Sequence, residues 1–271
     1  MYKKGPKAPF AWYGGKYYYA KWIINHFPDH RVFIEPYGGA GNIILNKKES
    51  EVEIFNDLDG RVPNFFKVLR EEDTFKQLIM MLNLTPYSRE EFARVLQEEP
   101  ESDLHKAYNF FIICRQSRGG LGMTKLTPAG WAVSLRSRRK MAEPVSKYLS
   151  AIDGLEDIAT RFRSVVIECN DAIEVIQKYD RKDALIYCDP PYIPEVRHDK
   201  KANTFGCEMT TGDHLRLLET LRGCKGKVVI SGYHSEVYAK ELKGWNTSTF
   251  VGKSHVSNSG QSRTEVIWKN F

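Results

Sequence analysis

Val32-Phe33-Ile34-Glu35-Pro36-Tyr37-Gly38-Gly39-Ala40-Gly41-Asn42-Ile43-Ile44-Leu45 is the stretch that decides the fold. An apolar run ends in an acid and a proline, three glycines follow, and an apolar segment resumes. This reads as strand, glycine loop and helix, the opening unit of a Rossmann-like nucleotide site. The loop lacks the G-x-G-x-x-G spacing of the dinucleotide fingerprint. Glu35 at the strand tip would repel a pyrophosphate but attract an ammonium or a sulfonium. The stretch therefore favours S-adenosyl-L-methionine over a nicotinamide dinucleotide, with Glu35, Pro36, Gly38, Gly41 and Asn42 around the cofactor.

The neighbouring segments extend this site. Glu53-Ile54-Phe55-Asn56-Asp57-Leu58-Asp59 reads as a second strand ending in an acid. An acid at that tip takes the two ribose hydroxyls. Asp57 is preferred because it ends the apolar run directly; Asp59 reads more simply as a cap for the helix that starts near Arg61. Upstream, Trp12-Tyr13-Gly14-Gly15-Lys16 offers a flat ring, two glycines for close backbone approach and a point charge for a carboxylate. Taken alone it is equally a glycine turn before a helix running from Lys16 to about Phe27, with Trp12 in the core.

Further along, Ala184-Leu185-Ile186-Tyr187-Cys188 reads as a buried strand that Asp189-Pro190-Pro191-Tyr192 ends abruptly, since proline cannot join a strand ladder. One acid, two stiff residues and one ring thus reach the C-terminal edge, where open parallel sheets bind ligands. Asp189 and a proline carbonyl can accept from an exocyclic amine, and Tyr192 can stack on a planar base. An Asp-Pro pair that only starts a turn is the plainer alternative. Two more apolar runs have polar tips: Val165–Glu168, followed by Asn170 and Asp171, and 226–233. Asp171 is placed to accept from an adenine amine or to cap the next helix. Residues 245–251 and 263–268 close the chain as a β-hairpin around a long polar loop.

From Arg61 to about Ile158 the periodicity is that of amphipathic helices, and this length between two strands is an inserted domain. Residues 115–147 carry eight basic side chains against one acid, in a chain whose formal charge is only +6. Arg115, Gln116, Arg118 and Lys125 lie among glycines and small polar residues, a mixture suited to base edges. Arg136, Arg138, Arg139 and Lys140 form a denser cluster suited to phosphates. The bland alternative is a solvated basic face. With 271 residues, no apolar run of membrane length, no zinc spacing among the five cysteines and no secretion signal, the expectation is a cytoplasmic protein with neither metal nor membrane partner.

Together these motifs, with the terminal Glu265-Val266-Ile267-Trp268, resemble the Dam-like N6-adenine DNA methyltransferases over nearly the whole chain. The resemblance covers the subgroup whose order is cofactor loop, target-recognition domain, then the Asp-Pro-Pro-Tyr motif. It implies a doubly wound α/β sheet of seven strands, the last antiparallel. The catalytic domain would comprise residues 1–60 and 159–271, and the helical DNA-binding domain 61–158. It implies that Trp12, Tyr13, Gly14, Lys16, Asp57, Leu58, Asn170, Asp171 and Asp189 meet S-adenosyl-L-methionine or its surroundings. Asp189, Pro190, Pro191 and Tyr192 would handle a flipped adenine in double-stranded DNA, with the enzyme a monomer in a bacterial or phage-infected cell. Gly38 stands where the family usually carries a bulkier residue, implying a looser loop. Rival readings are an RNA or protein-glutamine methyltransferase, a non-enzymatic DNA-binding module, a nicotinamide-dependent oxidoreductase, and a cytosine-carbon methyltransferase. The last would need a cysteine nucleophile, and Cys188 should point away from the site into the core.

Overall fold

The structure, a computed structural model, describes residues 5–12, 14–118, 130–193, 208–253 and 262–271. Tyr13 and Lys125 of the expected site lie outside the described residues. In chain order the strands are β1 Val32–Glu35, β2 Val52–Asn56, the short pair β3 Ser137–Arg138 and β4 Met141–Ala142, β5 Val165–Glu168, β6 Ala184–Cys188, β7 Lys227–Gly232, β8 Asn246–Lys253 and β9 Ser262–Lys269. The helices are α1 Ala20–Ile24, α2 Arg61–Arg70, α3 Glu72–Leu84, α4 Arg89–Gln97, α5 Asp103–Gln116, α6 Glu143–Asp153, α7 Leu155–Phe162, α8 Ala172–Tyr179, α9 Thr211–Arg222 and α10 Glu236–Glu241.

Seven strands form one sheet in the order β5-β2-β1-β6-β7-β9-β8. The first five are parallel to one another, and β9 runs antiparallel between β7 and β8. From β1 the chain winds outward through β2 to β5, then returns to the other side of β1 and winds through β6 to β7. The order therefore reverses between β1 and β6, and a crevice opens beyond their C-terminal ends. The strands that deliver Glu35 and Asp189 to the sheet edge, β1 and β6, flank that point.

Alternation along the strands separates two apolar layers. Phe33, Phe55, Leu185, Tyr187 and Val229 face α2, α5, α6 and α7. Ile34, Ile54, Ile186, Cys188 and Ile230 face α8, α9 and α10. Burial on both faces is why these strands read as unbroken apolar runs. Cys188 is 0% exposed within the second layer, as the core reading expected.

The inserted helices share the first layer with the sheet. Phe162 of α7 stacks on Phe66 of α2 at 4.0 Å, and both rings meet Phe55 of β2. The expected boundary at residue 158 falls inside α7. Two local expectations need correction. The helix expected from Lys16 is only Ala20–Ile24. The segment expected as a helix after Gly41 is a run of turns, with Leu45 N–H on the Gly41 carbonyl at 3.0 Å and Lys47 N–H on the Ile43 carbonyl at 2.9 Å. Side chains take both Ile44 backbone groups that a regular helix would use: Glu35 accepts the N–H at 3.2 Å, and Arg161 donates to the carbonyl at 2.9 Å.

Candidate active site

The glycine loop is fixed by close approaches. The Gly39 φ is +50°, and a Cβ there would stand 2.8 Å from the Trp12 indole, so the loop lies directly against the half-buried Trp12 ring. At Gly38 a Cβ would fall 2.2 Å from the Phe55 ring. The looser loop implied by Gly38 is therefore not found, because Phe55 fills the space a side chain would take. Asn42 is 8% exposed, and its Oδ1 has no hydrogen-bond partner among the described residues.

At the tip of β2, Asp57 accepts from the Gly39 N–H at 2.7 Å and the Asp59 N–H at 2.9 Å. Burial outweighs these hydrogen bonds and pushes its carboxyl up to about 6. Asp59 is occupied otherwise: it accepts from the Arg61 N–H at 3.2 Å and pairs with the Arg61 guanidinium. Leu58 between them is 53% exposed. Asn56, fully buried, was not among the expected site residues. Its amide donates to the carbonyls of Pro36 and Asn170 at 2.9 and 3.0 Å, and its Oδ1 accepts the Asn170 N–H at 2.9 Å. One side chain thus ties together the tips of β1, β2 and β5. Its signal in the sequence is a polar residue closing an apolar strand. Asp171 is exposed and caps α8, accepting from the Ile173 and Glu174 N–H groups at 2.8 and 3.4 Å. Asn170 donates to Glu168 at 2.9 Å.

Across the crevice, Lys16 lies at the Asp-Pro-Pro-Tyr turn. Its Nζ is 2.7 Å from Asp189 Oδ1, 2.6 Å from the Tyr192 hydroxyl, 3.2 Å from the Gly14 carbonyl and 3.5 Å from Glu265 Oε1. Burial alone would lower the Lys16 pKa, but the carboxylates of Asp189 and Glu265 override it and hold it above its ordinary value. Ser231 at the end of β7 donates to the same Asp189 oxygen at 2.9 Å. The Tyr192 hydroxyl donates to Glu265, and the Tyr192 ring meets Tyr233 edge-on at 4.5 Å. Burial and then the Glu265 charge raise the Tyr192 pKa, so the phenol stays protonated. Burial likewise raises Glu35 and Glu265. Pro190 is buried and Pro191 half-buried beside them.

The basic segment divides. Arg115 and Gln116, expected at DNA, are turned to structural use. Arg115 donates to the carbonyls of Pro9 and Ala8 at 2.6 and 2.8 Å, fastening the chain before Trp12 onto α5. Gln116 is 0% exposed and accepts from the Trp131 indole at 3.2 Å. Arg118, Arg136, Arg138, Arg139 and Lys140 are exposed. Arg139 and Lys140 form the turn between β3 and β4 with φ of +53° and +60°. Each such conformation costs a non-glycine residue about 1–2 kcal/mol. Arg139 also donates to Ser150 of α6 at 2.8 Å.

The D12 class N6 adenine-specific DNA methyltransferase family matches the chain over residues 12–258. The chain belongs to that family. It is 26% identical to a DNA N-6-adenine-methyltransferase of Escherichia phage P1, over 94% of this chain and 34% of that protein. It thus spans about a third of the phage relative's length. It is 24% identical to a DNA adenine methylase of Vibrio cholerae, over 97% of this chain and 94% of that one. Among solved structures, an Agrobacterium tumefaciens S-adenosylmethionine-dependent methyltransferase aligns over 94% of this chain and 61% of that chain, at 12% identity and a TM-score of 0.35. By its family and its curated relatives the chain is an adenine-specific DNA methyltransferase, and its sheet is the seven-stranded α/β sheet described above. Among the described residues no helix is long and apolar enough to cross a membrane, and no cluster of three or more His, Cys, Asp or Glu side chains is suited to a metal.

Proposed function

We propose that Asp189, the Pro190 carbonyl and Tyr192 hold the target adenine amine at the point where the strand order reverses. The state of Asp189 carries this reading. Lys16 and Ser231 engage its Oδ1, while its Oδ2 has no hydrogen-bond partner among the described residues. A carboxylate fixed through one oxygen and open at the other is set to receive an N–H without reorganising. Accepting from the amine keeps the nitrogen lone pair out of the ring's conjugation and aimed across the crevice. The half-buried Tyr192 and its neighbour Tyr233 provide aromatic surface for the base. An adenine reaches them only when swung out of the duplex.

The other half of the crevice fits S-adenosyl-L-methionine. The unpartnered Asn42 Oδ1 suits an ammonium donor, the Asp57 carboxylate suits a hydroxyl pair, and exposed Leu58 and half-buried Trp12 offer apolar faces to a purine. When bound, the cofactor supplies a methyl group on a sulfonium. The absence of side chains at Gly38 and Gly39 lets the cofactor loop close on Phe55 and Trp12, the +70° φ of Gly41 completes its turn, and Pro36 stiffens the approach. Glu35, Asn56 and Asn170 hold the strand tips, and Asp171 holds the start of α8.

The insertion, residues 61–158, serves as the DNA-recognition unit. Arg118, Arg136, Arg138 and Lys140 meet the duplex, and the left-handed turn at Arg139 and Lys140 keeps two cations at a hairpin apex despite its conformational cost. Labelled S-adenosylmethionine tests the reading. Label recovered as N6-methyladenine from duplex DNA supports it; label entering only RNA or protein would transfer it to the rival methyltransferases.

A further inference from the structure

We propose that Glu265, which the family reading gives no role, is a positioning residue that sets the charge felt by the target amine through Lys16. The inference rests on the assignment of Asp189 to that amine.

The geometry poses an electrostatic difficulty. As the amine nitrogen forms its bond to the methyl carbon, the carbon–sulfur bond breaks with its electron pair left on sulfur. The positive charge passes to nitrogen, and one N–H proton then leaves for a base or water. Positive charge thus develops on the atom that Asp189 holds. Yet the Lys16 ammonium is 2.7 Å from the same carboxylate. An isolated Lys16–Asp189 pair would be neutral, and the lysine would spend the field that Asp189 is there to supply.

Glu265 resolves this. It lies near the start of β9, antiparallel to β7, and its neighbour Val266 pairs with Gly232 at the β7 tip. The register brings a second carboxylate, 2% exposed, to 3.5 Å from the Lys16 Nζ. The ammonium is then shared between two acids, and the cluster of Lys16, Asp189 and Glu265 carries one net negative charge. The same Glu265 oxygen accepts the Tyr192 hydroxyl and so also orients the ring. In so buried a place, one charge more or less acts with little screening.

The test is a double-mutant cycle on the intact enzyme, read as kcat on a methylatable duplex. Binding of S-adenosylhomocysteine by calorimetry provides the control for folding and cofactor affinity. Glu265→Gln keeps the shape and removes the charge; kcat should fall roughly 100-fold, the usual scale for losing one preorganised electrostatic interaction, with cofactor Kd unchanged. Adding Lys16→Met to Glu265→Gln should raise kcat again, to that of Lys16→Met alone, because in both variants Asp189 is then the one charged acid: a buried Glu265 without its cation takes up a proton. If Glu265→Gln does not fold, comparing the double variant with Lys16→Met decides: equal kcat supports the proposal. A wild-type kcat in Glu265→Gln, or an undiminished further loss when Glu265 is removed from the Lys16→Met background, would overturn it. Turnover surviving Asp189→Ala would instead overturn the assignment of Asp189.

Discussion

Asn56 exchanges two hydrogen bonds with the backbone of Asn170: its Oδ1 accepts the N–H at 2.9 Å and its amide donates to the carbonyl at 3.0 Å. Asn56 ends β2, Asn170 follows the neighbouring strand β5, and the whole helical insertion lies between them in the chain. The same amide reaches the Pro36 carbonyl at 2.9 Å, so one buried side chain sets the spacing of three strand tips around the cofactor crevice. Asn56→Leu would strand these groups without partners. We expect a stability loss of about 1–3 kcal/mol, the cost of buried unsatisfied polar groups, with weakened cofactor binding. Thermal unfolding with and without S-adenosylhomocysteine measures both; an unchanged Tm and Kd would remove Asn56 from the site.

Asp57 supplies a pH dependence. Burial raises its carboxyl from 3.8 to about 6, so in the free enzyme it takes up a proton below that pH. Ribose hydroxyls donate better to the ionised form. Cofactor affinity should therefore rise as pH increases through about 6. The effect on the fold has the opposite sign. A raised carboxyl pKa favours the native state below the unfolded pKa, and that advantage is lost as pH climbs through the folded one. Calorimetry with S-adenosylhomocysteine from pH 5 to 7.5 checks this, and Asp57→Asn should flatten the profile. A slope that survives in Asp57→Asn would assign it to another group.

The basic insertion should show two kinds of arginine. Arg115→Ala loses two hydrogen bonds from a charged donor and releases the segment before Trp12, so it should destabilise the fold by about 2–3 kcal/mol. Arg138→Ala and Lys140→Ala should leave Tm unchanged and weaken binding to every duplex alike. Each should reduce the salt slope by about one unit for every phosphate it no longer neutralises. Binding titrations across a salt series, on cognate and scrambled duplexes, separate these outcomes. Unaltered slopes for both variants would make the hairpin a solvated face.

Much of this arrangement was legible in the sequence because strand tips are written as apolar runs ending in a polar residue. Glu35, Asp57, Asp171 and Asp189 were placed at one sheet edge by that rule alone. Side-chain use was less legible. Lys16 reads locally as a charge beside glycines, and only the register of β6 and β9 brings Asp189 and Glu265 to it. Arg115 and Gln116 read as surface residues because charge counting does not show which face of α5 is covered. Gly38 looked like room in the loop, since its filling by Phe55 depends on how two strands pack together.

Asp189→Ala probes whether Asp189 receives the target amine. The residue sits at an edge, where Lys16 retains Glu265 and Tyr192 as partners. We predict a folded variant that binds S-adenosylhomocysteine and duplex DNA within a few-fold of wild type, while its single-turnover methylation rate falls by at least 100-fold, as expected when a preorganised electrostatic interaction is removed. A single-turnover rate near that of the wild-type enzyme, with binding intact, would contradict the account.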